Sequence, residues 1–155
     1  MIVEDKPGVM QKISGMFTRR GFNIDTIAVG KSESPGLSRI TLSMVADEDT
    51  LEQLIKQLYK TINVVRVFKM PEKGSVVREL CLVKVHLRDE KSRSEAMKYS
   101  DVFKGKIVDI SPSSATIQLV GTPEKIDAFL EILRPFGMKE VARTGIIAIS
   151  RDPKK

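Results

Sequence analysis

The stretch "EDKPGVMQKISGMFTRRGFNI", residues 4–24, decides how this chain folds. Ahead of it, "MIV" with Glu4 reads as a short strand whose natural start is expected further upstream. Pro7 and Gly8 then sit where the chain must change direction. The apolar residues Val9, Met10, Ile13, Met16 and Phe17 recur at helical spacing, which predicts a helix over residues 9–20. Gly21 stops it, at the position where glycine relieves left-handed strain. "FNIDTIAVGK", residues 22–31, reads as the returning strand. This order opens the helix's unpaired N–H groups onto the Pro7–Gly8 turn. Such a place holds a negatively charged group, or it is simply a neat start for a helix.

Working outward, "ESPG" is a turn at Pro35 and Gly36, and "LSRITLSMV" alternates cleanly. Ile40, Leu42 and Met44 fall on one face of that strand and Arg39, Thr41 and Ser43 on the other, as in a half-buried strand. "DEDTLEQLIKQLYKTI" places Leu51, Leu54, Ile55 and Leu58 at helical spacing, with acidic residues at the end the helix dipole favours. "VVRVFKM", residues 64–70, is a further strand, and "PEKGS" reads as a linker. The same order then recurs. "RELCLVKVHL" alternates as a strand, a polar helix is predicted over residues 94–103 with Gly105 stopping it, and "KIVDI" and "SATIQLV" form a hairpin. "TPEKIDAFLEILRPFG" carries Thr122 as cap and Pro123 at the first helical position. "EVARTGIIAISR" closes the chain as a strand broken at Thr144 and Gly145.

The reading is therefore α+β: two ferredoxin-like βαββαβ domains, each an antiparallel sheet with helices on one face. The domains span residues 1–71 and 78–155, joined by a linker at 72–77. One sheet face in each is left bare, which favours pairing with another domain or chain.

A chain of 155 residues, 41% hydrophobic and 30% charged, is a soluble globular protein with one core or two small ones. No apolar run approaches the roughly 20 residues a membrane span requires. No secretory signal is read at the N-terminus, and the single cysteine, Cys81, suits a reducing compartment, so the cytoplasm is expected. The net charge of +6 is dispersed, and its densest run, Lys84 to Lys98, is interrupted by Asp89, Glu90 and Glu95. It reads as a solvated face rather than a groove that tracks phosphates.

No catalytic constellation assembles. His86, the one histidine, shares a strand face with Lys84 and Arg88 and reads as a partly solvated residue. Cys81 lies on the apolar face of the same strand, with no partner for a metal site or an activated thiolate. Glycine loops for nucleotides are absent. RNA-binding sheets of this topology need exposed aromatics on the central strands, and "LSRITLSMV" and "SATIQLV" carry none. In the opening stretch, the Gly8 turn and Asn23 lie at opposite ends of one helix. They converge on a ligand only if two protomers pack together.

The blocks "DKPGVMQKISGMFTRRGFNIDTIAVG" and "PGLSRITL" resemble the amino-acid-binding ACT domain of the small regulatory subunit of acetohydroxyacid synthase (acetolactate synthase). "RELCLVKV", "FKGKIVDISP" and "VARTGIIAISR" resemble that family's C-terminal domain, so the likeness covers nearly the whole chain. The resemblance implies a homodimer formed through the ACT domain, without catalytic activity of its own. It would activate the catalytic subunit and confer feedback inhibition by valine or another branched-chain amino acid. Thiamine diphosphate, magnesium and FAD would belong to that partner, with no cofactor in this chain. Carried over by residue, Gly8 lets the effector approach the backbone, and the amides of Val9 and Met10 hold its carboxylate. Asn23 and the backbone of Ile24 reach it from the second protomer. Asp5 stands where relatives carry asparagine; its carboxylate would attract the effector's ammonium and repel its carboxylate. The alternative is an assembly module for the same enzyme that senses nothing.

Overall fold

The computed structural model describes residues 1–71 and 73–151; Glu72, within the expected linker, and the last four residues of the second expected domain lie outside them. The chain divides into two compact units, Met1–Val76 together with the stretch from Ile147, and Val77–Ile146.

In the first unit, β1 (Ile2–Glu4), α1 (Val9–Arg19), β2 (Thr26–Lys31), β3 (Leu37–Ser43), α2 (Glu48–Tyr59) and β4 (Val64–Arg66) follow one another. The sheet order is β2-β3-β1-β4, and all its pairs are antiparallel. Val3 and Ile40 from the sheet, Val9, Ile13 and Phe17 from α1, and Leu54 and Leu58 from α2 close into one core. Both helices therefore cover the same sheet face. On the other face, the guanidinium of Arg66 lies 4.7 Å from the ring centroid of Phe68, and that of Arg39 lies at 5.9 Å. This aromatic comes from beyond β4, not from the central strand.

The second unit repeats the pattern with β5 (Ser75–His86), α3 (Glu90–Val102), β6 (Lys106–Ile110), β7 (Ser114–Gly121), α4 (Pro123–Leu133) and β8 (Met138–Arg143). Its order, β6-β7-β5-β8, matches the first, and β9 (Ile147–Ser150) falls in the first unit. Cys81, Val83, Val85, Ile117 and Leu119 meet Ile126, Phe129 and Leu133 of α4 in its core. Two ferredoxin-like α+β units are thus present, as the repeated order predicts.

Several boundaries differ from expectation for physical reasons. Residues 22–25 are not strand. Gly21 N–H donates to Thr18 O and Phe22 N–H to Phe17 O, both at 3.1 Å, and the rings of Phe17 and Phe22 meet edge-on. That is a Schellman closure with its hydrophobic contact, and it uses Phe22 to end α1. The last strand of the first unit stops at Arg66 because the Tyr59 hydroxyl takes both backbone groups of Val67, at 3.1 and 3.3 Å. The helix α3 begins four residues before the expected start. Its first turn has no apolar residue to signal it, and a capping box between Asp89 and Ser92 sets its start. Its end turns through Lys104 at φ 58°, and a Cβ on Gly105 would crowd the Gln118 carbonyl at 3.2 Å. Thr122 occupies the cap of α4, but its hydroxyl makes no capping bond.

Candidate effector site and family

The first turn of the chain is held from two sides. Asp5 N–H donates to Gly36 O at 2.8 Å, tying the turn to the β2–β3 hairpin. Glu4 N–H donates to Asn63 O at 2.9 Å, tying it to the segment after α2. Side chains reinforce the second tie. Asn63 donates its amide to the Glu4 carboxylate and accepts from Lys12 Nζ at 3.2 Å, while Lys6 Nζ reaches Glu4 at 2.9 Å. Lys6 first, then Asn63, hold the Glu4 carboxyl below its usual range. Asn63 adopts φ 80°, a left-handed conformation that asparagine tolerates better than most residues.

Gly8 is the N-cap of α1 at φ 82°, with no side-chain cap and no acidic residue in the first turn. A Cβ built on Gly8 would meet nothing within 4 Å, so the glycine is required by its backbone angle and its α-carbon faces open space. Val9 N–H is turned back toward Lys6 O at 3.4 Å, and Lys12 N–H is taken by Gly8 O at 3.1 Å. Among the described residues, the N–H groups of Met10 and Gln11 have no acceptor. The open donors are therefore those of Met10 and Gln11 rather than Val9 and Met10. With Gly8 as the cap, helical hydrogen-bond counting leaves Val9, Met10 and Gln11 without intrahelical acceptors, and the Lys6 carbonyl then takes Val9. Asp5 is exposed beside this turn, Met10 is 36% exposed, and the Val9 side chain is buried.

Asn23 and Ile24 lie elsewhere. They fall in the link between α1 and β2, not on the strand, with Asn23 exposed. Eleven helical residues separate them from Gly8, a length of about 16 Å at 1.5 Å per residue. One chain brings together Asp5, Gly8, Val9 and Met10, and leaves Asn23 and Ile24 at the far end. Sequence reasoning missed Asn63 and Lys12, whose signal is an asparagine one turn past the end of an amphipathic helix.

The remaining candidates are structural. Cys81 is fully buried, and burial pushes its thiol pKa up, so it is inert. His86 is exposed on β5, as its place in the alternation predicts. No helix among the described residues is long and apolar enough to cross a membrane.

Comparison with known proteins gives these features a family. Residues 1–66 match the model described as "AHAS small subunit-like ACT domain", and residues 78–152 match "Small subunit of acetolactate synthase". A probable acetolactate synthase small subunit of Methanothermobacter thermautotrophicus is 53% identical over 150 residues, covering 97% of this chain and 89% of the relative. The acetolactate synthase small subunit of Mycolicibacterium smegmatis is 44% identical over 154 residues, 99% of this chain and 90% of its own. The crystal structure of the Thermotoga maritima small subunit superposes with a TM-score of 0.92 at 42% identity, covering 99% of this chain and 96% of that one. Fold and turn together define a protein of two ferredoxin-like units, the first of the ACT type. The chain belongs to the family of acetolactate synthase small subunits.

Proposed function

We propose that this chain regulates acetolactate synthase. It activates the catalytic subunit and confers feedback inhibition by valine or another branched-chain amino acid, bound where two first units meet. The observation that carries this reading is the open start of α1 at Gly8, beside a sheet whose β2 edge is unpaired. Ile27 and Val29 of β2 are in register with Leu42, which packs against the core, and the core residue Ile40, yet they are 38% and 52% exposed. A second copy added antiparallel at this edge would cover them and extend the sheet to eight strands. Antiparallel pairing also sets the start of one β2 beside the end of the other. Asn23 and Ile24, just before β2, would then approach the partner's hairpin, to which Asp5 and the Gly8 turn are tied. The amides of Met10 and Gln11 receive the effector carboxylate at the positive end of α1. Thiamine diphosphate, FAD and magnesium stay with the catalytic subunit in this reading, and coupling between effector and activity is of order 1 to 3 kcal/mol.

The test is an activity assay of the catalytic subunit with and without this chain, and with and without valine, alongside calorimetric titration of valine into the chain alone. Activation with valine-dependent loss is expected; activation that no branched-chain amino acid reverses would remove the sensing role. A second reading, an assembly module that senses nothing, is favoured by the exposed Asp5 carboxylate beside the turn. Thermal melts with valine, leucine or isoleucine separate the two, since a ligand selective for the native state must raise the midpoint.

A further inference from the structure

A groove of about 410 Å³ lies in the first unit between one side of α1 and the C-terminal end of α2, lined among others by Lys12, Arg19, Arg20, Lys60, Met16 and Ile62. Among the described residues no acidic side chain lines it. Among the described residues Arg19, Arg20 and Lys60 form no ion pair, and Lys12 donates to Asn63. Basic residues near helix C-termini answer the negative end of the dipole, but each end is worth about half a charge. Here two helix ends meet three full cations, Arg19, Arg20 and Lys60, and Lys12 adds a fourth from the N-terminal half of α1. Ile62, three residues past the end of α2, is 74% exposed in the same lining. A compact anion such as phosphate prefers converging backbone N–H groups. The helix ends present carbonyls instead, and the positive charge is carried on long side chains along the groove. That arrangement suits carboxylates spread along a chain, with one apolar side chain against Ile62.

We propose that this groove is where the catalytic subunit docks, through an acidic segment carrying one apolar residue. The proposal rests on the reading of the chain as a regulatory subunit and assigns that subunit's contact surface. It is separate from the effector turn except at Lys12, which lines the groove and also ties Asn63 to α1. Charged groups across such a surface govern encounter and salt dependence, while an apolar anchor governs dissociation.

The test measures binding of the full chain to the cognate catalytic subunit at about 50 mM and about 500 mM salt, on either side of strong screening. Arg19→Gln/Arg20→Gln/Lys60→Gln is expected to weaken the complex about tenfold or more at low salt, with the difference shrinking at high salt. Valine affinity should stay at the wild-type value, which shows that the unit is folded; Lys12 is left intact for that reason. Ile62→Ser is expected to weaken the complex about fivefold at both salt concentrations. A triple variant with wild-type affinity and salt dependence overturns the proposal. So does inorganic phosphate displacing the catalytic subunit better than sodium chloride at equal ionic strength, which would make the groove a small-anion site. If wild type forms no complex at all, the regulatory reading itself fails and takes the groove with it.

Discussion

The helices α1 and α3 occupy the same place in their respective units, each following the first strand of the repeat, yet their starts are built differently. At α3 the chain supplies its own anion. Asp89 accepts Ser92 N–H at 2.7 Å, Ser92 Oγ accepts the N–H groups of Arg88 and Asp89 at 3.0 Å each, and Glu90 adds charge to the first turn. At α1 the cap is a left-handed glycine, and the first turn has neither cap nor acid. The strands differ in the same sense. The three-residue β1 corresponds to the twelve-residue β5, and among the described residues the second unit alone buries a charged side chain, Glu79, held by the partly exposed Arg143. One topology serves two ends. The start of α3 is closed by the chain's own acid, and the start of α1 is not.

That contrast can be broken at its strongest point first. Arg143 holds Glu79 with two bonds of 2.8 and 2.7 Å, and the Glu79 side chain is 1% exposed. Arg143→Ala leaves a buried carboxylate without its partner and should cost about 3 kcal/mol in urea unfolding. Adding Glu79→Gln should restore part of this, and an unchanged midpoint would show that the pair does not close the unit.

Gly8→Asp makes the first unit imitate the second, by placing a carboxylate where Asp89 stands in α3. The substitution forces a left-handed residue and occupies the open donors, so calorimetric valine affinity should fall about a hundredfold. Activation of the catalytic subunit should survive. Equal affinity in variant and wild type would place the effector elsewhere.

The reverse change, Asp89→Ala, opens the α3 start and should lower the melting temperature by about 4 °C. Hydrogen bonding from Ser92 holds the Asp89 carboxyl below its usual range. A depressed folded-state value contributes stability above the ordinary carboxylate pKa, and that stability is lost as pH falls through the folded value. The gap between variant and wild type should therefore close in acid. Melts from about pH 7 to about pH 3 measure it.

The smallest effect is expected at Asn63→Gly, which keeps the left-handed backbone and drops the bonds to Glu4 and Lys12. Its melting temperature should stay within about 2 °C of wild type. An NMR titration should show the Glu4 carboxyl moving up toward its ordinary value, though not fully, because Lys6 remains.

Much of this was legible in the residues. The period of Val9, Ile13, Met16 and Phe17 and the alternation through Cys81, Val83 and Val85 mark the core faces, because burial acts on every turn or every second residue. The repeated element order follows from that. Polar starts and tight closures were harder to read. Nothing apolar marks residues 90–93, and Phe22 looks like a strand residue until its ring is seen closing α1. The site divides likewise. Pro7 and Gly8 announce a turn into a helix, while the place of Asn63 beside Glu4 depends on how α2 returns its chain.

By itself the sequence determined two ferredoxin-like units, their strand and helix faces, and a glycine at the start of the first helix. These rest on local periodicity and on backbone angles that few residues accept. Tertiary structure alone decided that Asn63 and Lys12 brace the turn, and that four cations line one groove. Those features arise between segments far apart in the chain, where hydrogen bonding and charge depend on distance in space rather than on spacing along it.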